Sequence, residues 1–194
     1  GGTLANNGSL VLSGSGNLLL NNGGVLTNAG LIDLQTDAGI DYTTGALPTL
    51  NNLAGATIRK SAGTLSIVGN SFPYTFINAG TLDAQSGVLR YKGFNQFNNG
   101  TQFIGTGVHE VVNDSTFSGT ITSNAQALHL VSGNFGGTAT LQGSTQWLGG
   151  NLAGGATWTI ATGASLVLPG AGTPVVNGGT LVNNGSVVLS GSGN

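Results

Sequence analysis

Three short apolar patterns return in a fixed order about every 22 residues along this chain. The first is Φ-x-Φ-x-Gly, where Φ is apolar. It reads Leu10-Leu12-Gly14, Leu65-Ile67-Gly69, Leu89-Tyr91-Gly93, Leu166-Leu168-Gly170 and Val187-Leu189-Gly191. Looser versions include Ile32-Leu34, His109-Val111, Leu128-Leu130 and Thr145-Trp147. A Thr-Leu-like pattern precedes most of them, with apolar members Leu4, Leu26, Ile58, Leu82, Phe103, Ile121, Leu141, Trp158 and Leu181. Further upstream a third pattern runs through Leu20, Leu50, Phe76, Phe97, Phe117, Phe135, Leu152 and Val176. No window keeps the i, i+3, i+4, i+7 apolar face of a helix. Short alternating runs punctuated by Gly and Asn read as strands and corners. Three strands and three corners per repeat describe a coil that cannot bury its apolar side alone and must stack on the next. The fold expected is therefore all-β: a parallel β-helix with three short strands per coil and about eight to nine coils. Right-handed winding follows from the general preference of parallel crossovers.

The same reading accounts for a composition that would otherwise suggest disorder. Gly is 36 of 194 residues and charged residues are 5%, against about 25% in ordinary domains. Yet 39% of residues are hydrophobic and the net charge is −2, whereas disorder pairs low hydrophobicity with high charge. Four basic residues, Arg59, Lys60, Arg90 and Lys92, fall far short of the basic face that nucleic acid requires. Cysteine is absent, which removes disulfides and thiolate metal sites. No apolar run approaches the ~20 residues of a membrane span.

A longer repeat lies above the coil. Residues 1–17 and 178–194 agree at 15 of 17 positions, differing only at Ala5/Val182 and Leu10/Val187. The chain 1–194 thus reads as a single solenoid module, one 177-residue period (1–177) plus the start of the next (178–194). Coils spaced about 4.8 Å apart give that period a rise near 38 Å. In a tandem array, a coil like Leu18–Leu34 would then sit directly on the last one.

The segments 50–69 (LNNLAGATIRKSAGTLSIVG) and 76–93 (FINAGTLDAQSGVLRYKG) resemble coils of bacterial surface β-helices. These include autotransporter passengers and filamentous-haemagglutinin-like giant adhesins. The resemblance covers nearly the whole chain and implies an extracellular, cell-surface location. It matches structural positions only, so it carries over no catalytic, cofactor or ligand residues.

Candidate chemistry is sparse. Three stretches exceed a minimal coil: Thr36–Pro48, Asn70–Thr75 and Pro169–Pro174. Such insertions gather on one face of a solenoid, often the binding face, which makes Asp37, Asp41, Tyr42 and Tyr74 a candidate binding loop for a cation or sugar. Aligning the Φ-x-Φ units puts Val11, Asp33, Ser66, Arg90, Glu110, His129, Gln146 and Val167 in one outward column. Arg90, Glu110 and His129 then form a surface charge ladder, favoured over an acid/base cluster because no second carboxylate faces Glu110. Arg59 and Asp83 align as a second ion pair. His109 falls in an apolar column and is expected buried and neutral. Stacked threonines would suit an ice-binding face, but Arg59 and Asp83 interrupt the neighbouring column. Phe76, Phe97, Phe117 and Phe135 occupy one position of four consecutive coils and should form a single internal stack, with centroids about 4.5–7 Å apart. The expectation is a non-enzymatic, extracellular stalk or fibre module without cofactors, partnered by further copies of itself, in tandem or end to end, and by surface or matrix polysaccharide. The alternative is a carbohydrate-binding or polysaccharide-cleaving β-helix.

Overall fold

The computed structural model describes residues 1–69, 74–170 and 172–191, and the backbone alone at 125 and 126. The described residues form strands and no helix, and every strand pairing is parallel. The strands line three faces of a β-solenoid. Face 1 carries nine: Thr3–Asn6, Val25–Asn28, Thr49–Asn52, Thr75–Asn78, Phe94–Phe97, Ser115–Phe117, Asn134–Gly136, Asn151–Leu152 and Val175–Val176. Face 2 begins with Ser9–Leu12, Leu31–Leu34, Thr57–Lys60, Thr81–Ala84 and Gln102–Ile104. Face 3 begins with Leu18–Leu19, Ile40–Asp41, Leu65–Val68, Val88–Tyr91 and Val108–Val111. Two long strands, Gly119–Leu130 and Thr138–Trp147, turn the corner unbroken and serve both faces. Beyond them Thr157–Ile160 and Thr180–Asn183 continue face 2, and Ser165–Leu168 and Ser186–Leu189 continue face 3. One strand from each face makes a coil, so coil 1 runs from Thr3 and coil 9 ends at Leu189.

The advance per coil on face 1 is 22, 24 and 26 residues over the first three steps, then 19, 20, 20 and 17, then 24. The tube they enclose keeps its width because each rung of face 1 turns one large and one small side chain inward. In coils 1 to 4 these are Leu4 with Asn6, Leu26 with Asn28, Leu50 with Asn52 and Phe76 with Asn78. At coil 5 the order inverts. Phe97 lies over Asn78 and Asn95 over Phe76; coil 6 follows with Phe117 and Ser115. Phe135 then returns to the first column, above Ser115 and below Leu152. The four phenylalanines therefore do not share one position: Phe97 and Phe117 are offset by two residues from Phe76 and Phe135. Their rings still meet inside, because a ring reaches across the tube. Centroids are 6.1, 5.0 and 6.3 Å apart in sequence order, and all four are fully buried.

The asparagines of coils 1 to 4 form a continuous amide ladder. Asn6 Nδ2 donates to Asn28 Oδ1, Asn28 to Asn52 and Asn52 to Asn78, each at 2.7 Å. Asn78 closes the run on Thr101 Oγ1 at 2.9 Å. The second amide hydrogen reaches a backbone carbonyl, as in Asn6 to Leu31 (2.8 Å) and Asn78 to Gly80 (3.1 Å). A glycine two residues on makes the corner possible: a Cβ at Gly30 would run into the carbonyl oxygen of Gly8 in the coil below.

Several alignments differ from those read along the sequence. Leu4 and Leu26 belong to face 1, and Leu10-Leu12 and Ile32-Leu34 to face 2, so Val11 and Asp33 stack with Arg59 rather than with Arg90. On face 3 Ser66 pairs Leu89 and Val68 pairs Tyr91. Leu65 and Ile67 thus point outward, since a one-residue slip reverses every side chain. The Thr36–Pro48 stretch is not an inserted loop: it contains the face 3 strand Ile40–Asp41. Most of Asn70–Thr75, residue 171 and residues 192–194 lie outside the described residues. The two near-identical segments sit on different faces. Thr3–Asn6 is on face 1, whereas Thr180–Asn183 pairs Thr157–Ile160 on face 2. The 177-residue spacing is therefore eight turns plus one face.

Candidate functional site

Face 3 carries the charge ladder. Arg90 pairs Glu110 and Glu110 pairs His129 across three successive coils. The guanidinium grips one carboxylate oxygen twice, Nε at 2.7 Å and Nη2 at 2.6 Å from Glu110 Oε2. Gln146 and Val167 complete the column. A carboxylate held by its neighbouring arginine has no second carboxylate opposite it, so this row does not have the paired acid and base that glycoside cleavage uses.

On face 2 Arg59 lies between Asp33 and Asp83, but its bond goes to Asp33 and not to the expected Asp83. Nε and Nη2 reach the two Asp33 oxygens at 3.1 and 2.8 Å. The Arg59 hydrogen bonds lower the Asp33 pKa to about 2, while the Asp83 carboxylate takes the Gln85 amide at 2.8 Å. These charges occupy face 2 of the first half only. In coils 7 and 8 the same face presents Thr140 over Thr159 with no ion between them.

The candidate binding loop does not converge on one site. Asp37 is exposed, and its carboxylate accepts the backbone amides of Thr64 and Leu65 and the Thr64 hydroxyl. Those bonds, led by the Leu65 amide, hold its pKa down to about 2. Asp41 is buried in its strand and accepts the Tyr42 amide at 2.8 Å. The Tyr42 hydroxyl donates back to the Gly45 carbonyl. Tyr74 is fully buried, and burial, reinforced by Asp41, raises its pKa. The spacing of these residues in sequence suggested a loop; two of them are core.

Two buried polar groups fill the corner regions instead. Lys60 is fully buried, its Nζ donating to Thr36 O (3.0 Å), Ala62 O (2.8 Å) and Ser66 Oγ (3.0 Å), with Asp37 at 3.5 Å. Burial lowers its pKa and the Asp37 charge opposes the shift. Sequence reading missed this lysine because it ends a strand whose alternation, Thr57-Ile58-Arg59-Lys60, turns Lys60 inward with Ile58. His109 is fully buried, with Nε2 2.8 Å from the Ile104 carbonyl and Nδ1 2.8 Å from the Tyr91 hydroxyl. A carbonyl only accepts, so Nε2 carries the proton and Nδ1 accepts from Tyr91. Burial depresses the His109 pKa to about 4. Its ring lies parallel to Tyr91. Among the described residues no three of His, Cys, Asp and Glu come together to hold a metal.

One concave feature lies outside every residue singled out from sequence. The outward side of face 1 in coils 5 to 8 holds an open groove of about 390 Å³. One wall is the column Phe94, Asp114, Asn134; the other is Gln96, Thr116 and Gly136. Compared with known proteins, the chain matches no family model, no curated protein and no solved structure. The likeness to surface adhesins rests on its coil pattern.

Proposed function

We propose that this chain is a non-enzymatic structural and adhesive module of a bacterial surface protein, a length of stalk or fibre built by stacking β-helix coils in tandem. The observation that carries this reading is the pairing of nine coils on one continuous core with a 177-residue repeat of nearly identical sequence. Leu4, Val176 and Leu189, exposed in the first and last coils, are residues that a further coil would cover. The favoured partner is accordingly another copy of the period. Because the period is eight turns plus one face, each copy would start one face further round. The axial repeat becomes about 40 Å rather than 38 Å at ~4.8 Å per coil. The carboxylates support the non-enzymatic reading, since Asp33, Asp37 and Glu110 are each engaged by partners of this chain.

The test is a protein of two consecutive periods taken from the parent gene. Small-angle scattering should give a rod longer by about 40 Å than the single period. A compact side-by-side particle, or a parent gene without the repeat, overturns the proposal. Antibody labelling of intact cells tests the surface location.

A further inference from the structure

We infer that the groove on face 1 binds a neutral polysaccharide running parallel to the solenoid axis. The inference deepens the adhesive part of the proposed function and is independent of the stalk.

The groove's geometry comes from the stacking. Outward residues of a parallel strand recur at every coil, so the groove has rungs about 4.8 Å apart. That interval is close to the advance of one sugar unit in an extended glycan chain. From Phe94 in coil 5 to coil 8 the rungs cover about 14 Å, room for roughly three sugar units. One column presents Phe94, then Asp114, Asn134 and Asn151; the next presents Gln96, Thr116 and Gly136. Gly136 forms the floor. A Cβ there would meet only Thr116 Oγ1, at 4.0 Å, so the glycine leaves open a space that no packing demand explains.

The groups lining this space suit sugars. Phe94 is 37% exposed at one end, and the electron-rich face of an aromatic ring attracts the C–H face of a pyranose. The Asp114–Asn134–Asn151 column is already ordered. Asp114 Oδ1 accepts Asn134 N (2.8 Å) and Nδ2 (3.2 Å), and Asn151 Nδ2 donates to Asn134 Oδ1 at 3.1 Å. Among the described residues no hydrogen bond engages the Gln96 amide or the Thr116 hydroxyl, which leaves donors and acceptors for sugar hydroxyls. Charge selects the ligand further. The lining holds one carboxylate, Asp114, and no cation, so a sulfated or uronic chain would meet repulsion without a counter-charge. A peptide gains little here, because face 1 offers no strand edge along the groove: its backbone groups are paired between coils.

The experiment is an amide-resolved NMR titration of the ¹⁵N-labelled chain with cellohexaose, xylohexaose and chitohexaose, with a heparin hexasaccharide as the charged comparison. At least one neutral hexasaccharide should shift the amides of residues 94–96, 114–116 and 134–136. Phe94→Ala should weaken that binding about tenfold. Gly136→Val should abolish it while leaving the thermal midpoint unchanged, because the position is open and its backbone is extended. Absence of binding by all three neutral sugars, preference for heparin, or full binding by the Gly136→Val protein overturns the assignment. None of these results bears on the scattering length of the two-period protein, so the two ideas fail separately.

Discussion

Coils 1 to 4 and coils 5 to 8 solve the same packing problem with different chemistry. In the first half the column that begins at Asn6 is polar, and each amide hydrogen-bonds to the amide above it. In the second half the column is aromatic. Phe97 packs on Phe103 at 5.1 Å and Phe117 on Trp158 at 5.1 Å, and Tyr91 stacks between Phe76 and His109. The difference follows from the rung. A tube of constant width accepts one large and one small inward residue per coil, and either column can supply the large one. Where Asn78 gives way to Phe97, the ladder has no partner to continue on. Thr101 ends it, and Asn95 and Ser115 take the small position, joined by a 3.0 Å bond. An amide ladder is directional and fails if one rung is lost. A ring cluster is held by area and shape, so its losses scale with the volume removed.

The largest effect is expected in the aromatic half. Phe117→Ala empties a site touched by Phe97, Phe135 and Trp158 and should lower the unfolding free energy by about 3–5 kcal/mol, read from urea melts. A loss under about 1 kcal/mol would mean that the cluster collapses to fill the gap.

Acid should distinguish the halves next. His109 is neutral in the fold, with its pKa lowered to about 4 from 6.5. The unfolded chain takes up the proton first as pH falls. Stability is therefore full above about pH 6.5 and declines down to about pH 4, by about 3 kcal/mol in total. His129 beside it also opposes a proton on His109, while the Ile104 carbonyl favours one. Hydrogen exchange at pH 5 should accelerate around His109 and leave the amides of coils 1 to 3 protected. His109→Gln should flatten the pH dependence over this range. Asp33 contributes separately: its pKa is about 2, so the stability it adds is lost only as pH falls from about 4 to 2.

Breaking the ladder should be milder. Asn52→Leu keeps the volume but leaves Asn28 with an amide hydrogen, and Asn78 with an amide oxygen, lacking their mutual partner. The expected loss is about 1–3 kcal/mol, and slowed protection should spread over coils 2 to 4 rather than stay at one rung. Smallest of all is Glu110→Gln. The Arg90–Glu110 pair is partly solvent-exposed, so thermal melts should move by no more than about 1 kcal/mol. A larger change would make face 3 a stabilising network.

The periodic alternation was enough to give the architecture: strands of about four residues, three to a coil, all parallel, about nine coils. That pattern is local, because burial alternates along each strand whatever lies above it. The same holds for the buried state of His109 and for the neighbourhood of Arg90, Glu110 and His129, whose segments are close in sequence and equal in spacing. It also holds for the Asn-x-Gly corner. Gly8 and Gly185 donate to Asn6 and Asn183 in the same way, 3.3 and 3.1 Å, although the two segments lie on different faces.

Only stacking decides which face a segment occupies, because identical residues form the same local turn on any of the three. That is why Leu4 and Leu181 share a sequence pattern but not a face. It is also why Lys60 and Ser66 turn inward, and why Arg59 bonds Asp33 in the coil before it rather than Asp83 in the coil after. The groove of face 1 has the same origin. Phe94, Asp114 and Asn134 are about 20 residues apart in the chain and become one wall only when coils of 19 to 20 residues bring them into line. Spacing between coils is set by backbone hydrogen bonds that leave no mark on the identity of the side chains, so the sequence determined the strands and the tertiary stacking determined the surfaces they make.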